Sequence, residues 1–564
     1  MIRDLYSLFN TREKFSIVLL LISILISAIF DLLVVYTFPK FFTFFDKENV
    51  SEFYFLNSII KISEFVNISV PILFTLIFIL MFLLNTFFKL LTLYLQTNFS
   101  FNFGTRISNE YFRSILNQPF NFFIETDSSE HISILSNKIN VVVGNIIIPI
   151  LIILTNIVSV LFIITYLFIT EFLFTLFIFL SITSAYLLIS FVNRRTINKH
   201  SSVLNKNSDK NIKLVKEAIH SFKSFNIFEI KNLFNISFAE SNTNLRRSQK
   251  SIHYISNIPK YILELFVLCI LIISILFFAF TDGLLHNLSL FTLFGIAVFK
   301  LLPALQVIYG SYTRIRSVNE ILFQVCNNFK KLNKFIISYN NEKFHFNNFI
   351  KIYNLFHIYP VNSKFNLNIE SLEIHKGSFV GIVGKTGSGK STLLNNILGN
   401  YMSFSDYYLD SKKLNNFQLN ALKYSFTYVP QDVYLFNDSI EYNIKLDVEV
   451  HSKSGFDYDT CLEIVSLKHS DFTHKLGEGS TQISGGQKQR IGLARSLYHL
   501  RENIILDEST SSLDSITENS ILDFFSKLPR HYTIFMVTHN KNNLKFCTHL
   551  IDLDKSLITV DKLK

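Results

Sequence analysis

Long apolar runs fill the first half of the chain and then stop. Stretches of about 20 residues, enough to cross a hydrocarbon core of about 30 Å, recur at 15–38, 70–95, 144–170, 171–192, 258–280 and 288–309. Each predicts a membrane-spanning helix. Basic residues set their orientation: residues 193–260 carry about thirteen Lys and Arg against about four acids, whereas the connections near Glu171 and Asp282 carry essentially none. That long connection is expected on the cytoplasmic side, with the N-terminus also inside. The charged start, residues 1–14, precedes an apolar run too long for a signal-peptide core, and no small-residue cleavage site follows. The first span is therefore expected to remain as an anchor. The first outer loop, 46–66, has a helix-like apolar period and predicts a segment resting on the membrane surface.

After residue 344 the period changes. Short β-rich runs, "SFVGIVG", "YSFTYVP", "NIILDE" and "TIFMVTH", alternate with helical ones, which predicts a mostly parallel sheet. The expected fold is an α-helical six-span transmembrane domain, residues 1–310, fused to a C-terminal α/β domain, residues 344–564. A polar helical linker, 311–343, joins them.

Composition agrees with a membrane protein: of 564 residues 49% are hydrophobic, more than an ordinary soluble domain of this size carries. The net charge of +10 is then ascribed to basic residues flanking the spans rather than to nucleic-acid binding. Cys269, Cys326, Cys461 and Cys547 are far apart and form no Cys/His cluster, so neither a zinc site nor a disulfide framework is expected.

"GKTGSGKST", residues 384–392, follows a strand-like run and precedes a helical one, the setting of a phosphate-binding loop, so the α/β domain is expected to be a P-loop NTPase. Gly384, Gly387 and Gly389 permit the tight turn; Lys385, Thr386, Ser388 and Thr392 complete the cradle; Lys390 faces the β- and γ-phosphates of ATP and the Ser391 hydroxyl binds Mg2+. Further on, an apolar run ends in Asp507 and Glu508. Asp507 suits the second magnesium contact, and Glu508 the activation of water. His539 ends another strand-like run, within reach of a γ-phosphate.

Between these motifs lies "ISGGQKQR", residues 483–490, which resembles the signature sequence of ATP-binding-cassette proteins. With six spans ahead of one cassette, the chain resembles an exporter-type half-transporter over nearly its whole length. The resemblance implies that Tyr359 stacks on adenine, that Gln431 is the Q-loop residue contacting magnesium and water, that Asp514 belongs to the D-loop, and that Ser484, Gly485, Gly486 and Gln487 cap ATP held by a second copy. It therefore implies a homodimer in a bacterial inner membrane, ATPase domains cytoplasmic, with coupling helices near 117–135 and 217–231. Ile483 stands where the family usually has Leu and Ser480 where exporters usually have Gly, while the acidic Glu478 is retained.

Lys300 lies in the last span, about 18 Å along it from Leu288 at 1.5 Å per residue. A lysine in hydrocarbon is costly enough to mark a functional site. Lys89 and Lys260 fall on the same side of the membrane, and the three are candidates to line a cavity for an anionic head group. "NIPKYILE", "FKLLPAL" and the helix-like outer loop resemble the lipid-linked oligosaccharide flippase (Pgl type). That resemblance implies ATP-driven movement of a polyprenyl-pyrophosphate-linked glycan to the outer leaflet. Export of a peptide, toxin or other lipid is the alternative, and a non-transport ATPase or regulated channel a third.

Overall fold

The computed structural model describes residues 9–43, 65, 69–221, 227–281, 288–333, 346–359, 362–400, 405–415, 418–419, 422–446, 455–472, 474–477, 483–555 and 560–563. The chain divides into two compact units, Met1–Asn117 with Thr126–Phe335, and Gln118–Glu125 with Ile336–Lys564. The outer-loop segment expected at 46–66 lies almost wholly outside the described residues, as do Glu478 and Ser480.

The first unit is helical. Its elements are α1 (Thr11–Thr43), α2 (Val70–Leu116), α4 (Ser128–Thr170), α5 (Phe172–His220), α6 (Lys231–Thr281), α7 (Leu288–Ser317) and α8 (Asn319–Asn333). A short helix, α3 (Phe120–Glu125), falls in the other unit. All six apolar segments expected to span lie within these helices, and α1, α2, α4, α5 and α7 are long and apolar enough to cross a membrane over described residues. Many of their large apolar side chains, such as Leu83, Leu180, Leu187 and Phe191, are exposed, as lipid-facing residues are.

Packing among the helices is specific. α1 rests on α2 and α4, α7 closes the group against α1 and α4, and α5 runs alongside α6. Val35, Val160, Ile163, Leu167, Phe294 and Leu301 fill the seam. α4 is not uniformly wound: Ile134–Lys138 and Val143–Ile147 are π-helical. The second of these turns runs up to Pro149, whose missing N–H leaves a carbonyl one turn earlier without its helical donor. Of the stretch expected as a polar linker, residues 311–333 form the end of α7 and α8, and 334–343 lie outside the described residues. α8 is amphipathic, burying Ile321, Leu322, Val325, Cys326, Phe329 and Leu332.

Among the described residues the second unit holds two sheets. β1 (Phe349–Tyr359), β2 (Asn362–His375), β4 (Asp406–Leu409) and β5 (Lys412–Lys413) form an antiparallel sheet in the order β2-β1-β4-β5. β3 (Phe379–Val383), β6 (Phe426–Val429), β7 (Asn503–Asp507), β8 (Thr533–Val537), β9 (His549–Asp552) and β10 (Val560–Lys562) form the other, in the order β10-β9-β3-β8-β7-β6. In it β9, β3, β8, β7 and β6 are mutually parallel.

This sheet is covered on both faces, which explains strands that read as unbroken apolar runs. Successive residues face opposite cores. Ile505, Phe535 and Val537 join one cluster with Leu393, Leu394 and Ile397 of α9 (Lys390–Ile397). Ile504, Leu506, Ile534 and Met536 join the other with residues of α12 (Gly485–Tyr498) and α13 (Ser515–Ser526). Two shorter helices, α10 (Ile440–Lys445) and α11 (Tyr458–Ile464), pack on α12.

Candidate functional site

Ligand sites in open parallel sheets form beyond the carboxyl ends of the strands, and here four neighbouring strands deliver the expected residues to that edge. β3 leads into the glycine loop, β8 ends two residues before His539, β7 ends at Asp507 with Glu508 next, and β6 ends two residues before Gln431.

Glu508 is where they converge. His539 Nε2 lies 2.9 Å from Glu508 Oε1, and Gln431 Nε2 donates to Oε2 at 2.7 Å. Glu508 itself has φ +47°, a left-handed conformation disfavoured for a residue with a side chain and concentrated at functional sites. Beside it, Tyr428 donates to Asp507 Oδ2 at 3.0 Å. Burial pushes the Asp507 carboxyl above the ordinary carboxylate range, the Glu508 charge adds to that, and the Tyr428 hydroxyl and Lys390 charge oppose it.

The glycine loop has the shape its motif requires. Gly387 and Gly389 hold φ +85° and +98°, and a Cβ on Gly384 would lie 2.4 Å from Ser388 Oγ. Lys390, the first residue of α9, folds back so that its Nζ donates to the carbonyls of Gly384 and Lys385 at 2.9 and 3.2 Å. Ser388 Oγ is buried with no hydrogen-bond partner among the described residues. A helix N-terminus, an unpartnered buried hydroxyl and a buried ammonium group suit a polyphosphate. Ser391 is exposed and Asp507 keeps Oδ1 clear of the Tyr428 bond, so the residues present fit ATP with Mg2+. The metal would be held by Ser391, Asp507 and the Gln431 amide oxygen.

Ser484 caps α12. Its Oγ accepts from Gln487 N at 3.2 Å, while the Gln487 side chain accepts from Ser484 N at 2.9 Å, a reciprocal capping box. Gly486 has no room for a side chain, because a Cβ there would sit 2.9 Å from the Ser512 carbonyl oxygen. One turn on, Gln489 donates to Ser511 Oγ at 3.1 Å and accepts from Ser512 N at 2.8 Å. α12 is thus tied to the loop that follows Asp507 and Glu508. Asp514 caps α13 by accepting from Thr517 N at 2.9 Å, and those Thr517 hydrogen bonds hold its carboxyl below the usual range. Tyr359 lies at the end of β1, paired with Asn362 beyond a register shift.

The lysines of the first unit do not act alike. Lys300 Nζ and Lys89 Nζ lie 3.1 and 2.7 Å from the same oxygen of Asp31, and both line a cavity of about 420 Å³ with Asp31, Gln96, Asn156 and Pro303. Lys260 does not join them: it is exposed on α6, its Nζ 5.6 Å from the ring of Tyr261. Asp31, Asn85, Tyr428 and Gln489 were not among the residues singled out from sequence. Asp31 alone left a signal there, as an acid inside "AIFDLLVVY".

A P-loop ATPase unit joined in one chain to a bundle of membrane-spanning helices defines an ATP-binding membrane transporter. Residues 15–299 match the family described as "ABC transporter transmembrane region" and residues 367–511 the family described as "ABC transporter"; the chain belongs to the ABC transporter family, as a half-transporter of the exporter type. It is 27% identical to the ATP-dependent lipid A-core flippase of Aliivibrio fischeri over 299 residues, 50% of each chain. It is also 31% identical to the Escherichia coli glutathione/L-cysteine transport system ATP-binding/permease protein CydC over 208 residues, 36% of this chain and 35% of that one. The chain spans about half the length or less of the curated relatives it matches. The fold is that of a bacterial Atm1-family ABC exporter with ATP bound, with a TM-score of 0.76 at 17% identity, covering 98% of this chain and 95% of the other.

Proposed function

We propose that this protein is an ATP-driven exporter that moves an amphipathic, phosphate-bearing substrate, in the first instance a polyprenyl-pyrophosphate-linked oligosaccharide, from the cytoplasmic to the outer leaflet of the inner membrane. The observation that carries the ATPase half is the convergence of Gln431 and His539 on the two oxygens of Glu508 at the edge that bears the glycine loop. Bound Mg2+ would neutralise charge developing on the phosphate oxygens. Lys390 supports that neutralisation from the loop, Glu508 takes the proton of the attacking water, and His539 and Gln431 hold the Glu508 carboxylate in position.

The signature is proposed to work in trans. Three strand spacings of about 4.8 Å set β6 roughly 14 Å from β3 across the sheet, and α12 packs on β6 while the glycine loop follows β3. This separation supports a second copy as the source of the Ser484 and Gly486 that face Lys390, and hence a homodimer with its ATPase units cytoplasmic.

The cargo reading rests on the polar cavity around Lys89 and Lys300. A separate chamber of about 450 Å³, lined by Ile164, Leu167, Phe179, Phe294 and other apolar side chains, favours a second reading in which the cargo is another lipid, and a lipid A-core flippase is among the relatives. ATPase measurements on the purified protein in nanodiscs, with lipid-linked sugars, other lipids and peptides added in turn, separate these. Stimulation by lipid-linked sugars is expected; stimulation by peptides alone sinks the proposal.

A further inference from the structure

The cation that drew attention in the sequence is not bare. Asp31 Oδ1 accepts from Lys89 at 2.7 Å, Lys300 at 3.1 Å and Asn85 at 3.2 Å, and Oδ2 accepts from Ser159 at 3.3 Å. These groups come from α1, α2, α7 and α4, so one carboxylate ties together four helices of the first unit. Asp31 and Asn85 are buried, and the cluster forms part of a cavity whose volume, about 420 Å³, lies within the range of small-molecule sites, about 300–1,000 Å³.

We propose that Asp31 is an internal counterion that competes with the phosphate of the cargo for Lys89 and Lys300, and thereby sets how tightly the cavity grips an anionic head group and how readily it lets go. This deepens the reading of a phosphate-bearing substrate and rests on it. Two ammonium groups gathered on one oxygen are near enough to engage a single phosphate group as well. Each carries three N–H donors in water or protein, and Asp31 engages one from each. With Asp31 ionised the three groups carry one net positive charge; with Asp31 neutral they carry two. An arriving phosphate therefore exchanges places with a partner already present instead of meeting unscreened cations. A site of two uncompensated lysines in a low-dielectric setting would hold a multivalent anion too firmly for turnover.

The helix that carries Lys300 has a means of making the exchange. Pro303 lies inside α7 and lines the same cavity as Phe299. Lacking an N–H, it leaves the Phe299 carbonyl without its helical donor and makes this turn the place where α7 bends most easily. Bending there shifts Lys300 relative to Asp31 on α1.

The test is binding by the full-length protein in phosphatidylcholine nanodiscs. The probes are undecaprenyl pyrophosphate and dioleoyl phosphatidic acid as lipid-borne phosphates, with inorganic pyrophosphate and phosphate as soluble ones. Asp31→Asn keeps the shape of the side chain and removes its charge; the double variant Asp31→Asn with Lys300→Gln restores the net charge. Asp31→Asn is expected to bind the lipid-borne phosphates at least tenfold more tightly and to translocate them more slowly, and the double variant to return within about threefold of the parent. Lys300→Gln alone is expected to lose at least tenfold in affinity, which keeps the idea testable should Asp31→Asn fold poorly. Unchanged or weaker binding by Asp31→Asn, while the parent binds, overturns the counterion role and leaves the substrate class standing. A gain confined to the soluble anions overturns the assignment to a lipid head group. Absence of binding by every phosphate-bearing probe overturns the substrate class and this proposal with it.

Discussion

The proposed catalysis turns on single side chains. Glu508 holds two partners and a strained backbone, an arrangement that aims its carboxylate. Glu508→Gln keeps the amide-sized shape and loses the proton acceptor. Its ATP turnover is expected to fall by about 100-fold or more, measured as phosphate release, while nucleotide binding measured by fluorescence persists. Cys461 gives an independent check on the fold around α11 and α12. Burial, with the Asp457 charge adding, pushes its thiol up to about 12, whereas an unfolded thiol titrates near about 8.5. The native protein keeps a proton that the unfolded chain releases, so this contribution is full below about pH 8.5 and is lost as pH rises toward 12. Mass spectrometry after iodoacetamide treatment at pH 8 should find Cys461 unmodified in the native protein and modified once it is unfolded.

At the scale of elements, two helical glycines separate packing from propensity. A Cβ on Gly104 of α2 would meet Val143 Cγ2 of α4 at 2.9 Å, whereas a Cβ on Gly310 of α7 meets nothing within 4 Å. Gly104→Leu is expected to destabilise by about 1–3 kcal/mol through overpacking, which outweighs the helix-propensity gain of under about 1 kcal/mol. Gly310→Ala receives that gain alone. Thermal unfolding in detergent should therefore show opposite shifts of the midpoint. The six helices and the parallel sheet were legible because apolar length and strand alternation are local signals, and the glycine loop, Glu508 and His539 because their motifs abut strand ends. Asp31 was not, since its partner Lys300 is 269 positions away and only the packing of α7 on α1 joins them. Lys260, grouped with Lys300 in the sequence by side of the membrane, lies exposed beside Tyr261 and not at Asp31. Tyr428 and Gln489 were missed because nothing in a lone Tyr or Gln announces a hydrogen bond to a carboxylate or a loop one or more strands away.

At the scale of the whole molecule, the proposal of a two-copy engine has a direct consequence. Glu508→Gln protein with Mg2+ and ATP should shift from monomer to dimer in light-scattering measurements, because binding continues while hydrolysis no longer separates the copies. Ser484→Arg, which places a long cation at the start of α12, should abolish that shift and leave each copy's glycine loop intact. Dimers that form equally well without nucleotide and with Ser484→Arg would show that the cassettes do not close on shared ATP.

The length of the helices adds a mechanical property. α2, α5 and α6 contain 47, 49 and 51 residues, so each is a rod on the order of 70–75 Å, more than twice the hydrocarbon thickness of about 30 Å. Tilting such a rod by 10° about one end sweeps the other through on the order of 12 Å. A lever of that length would turn a slight swivel at one tip into a displacement of several ångströms at the other.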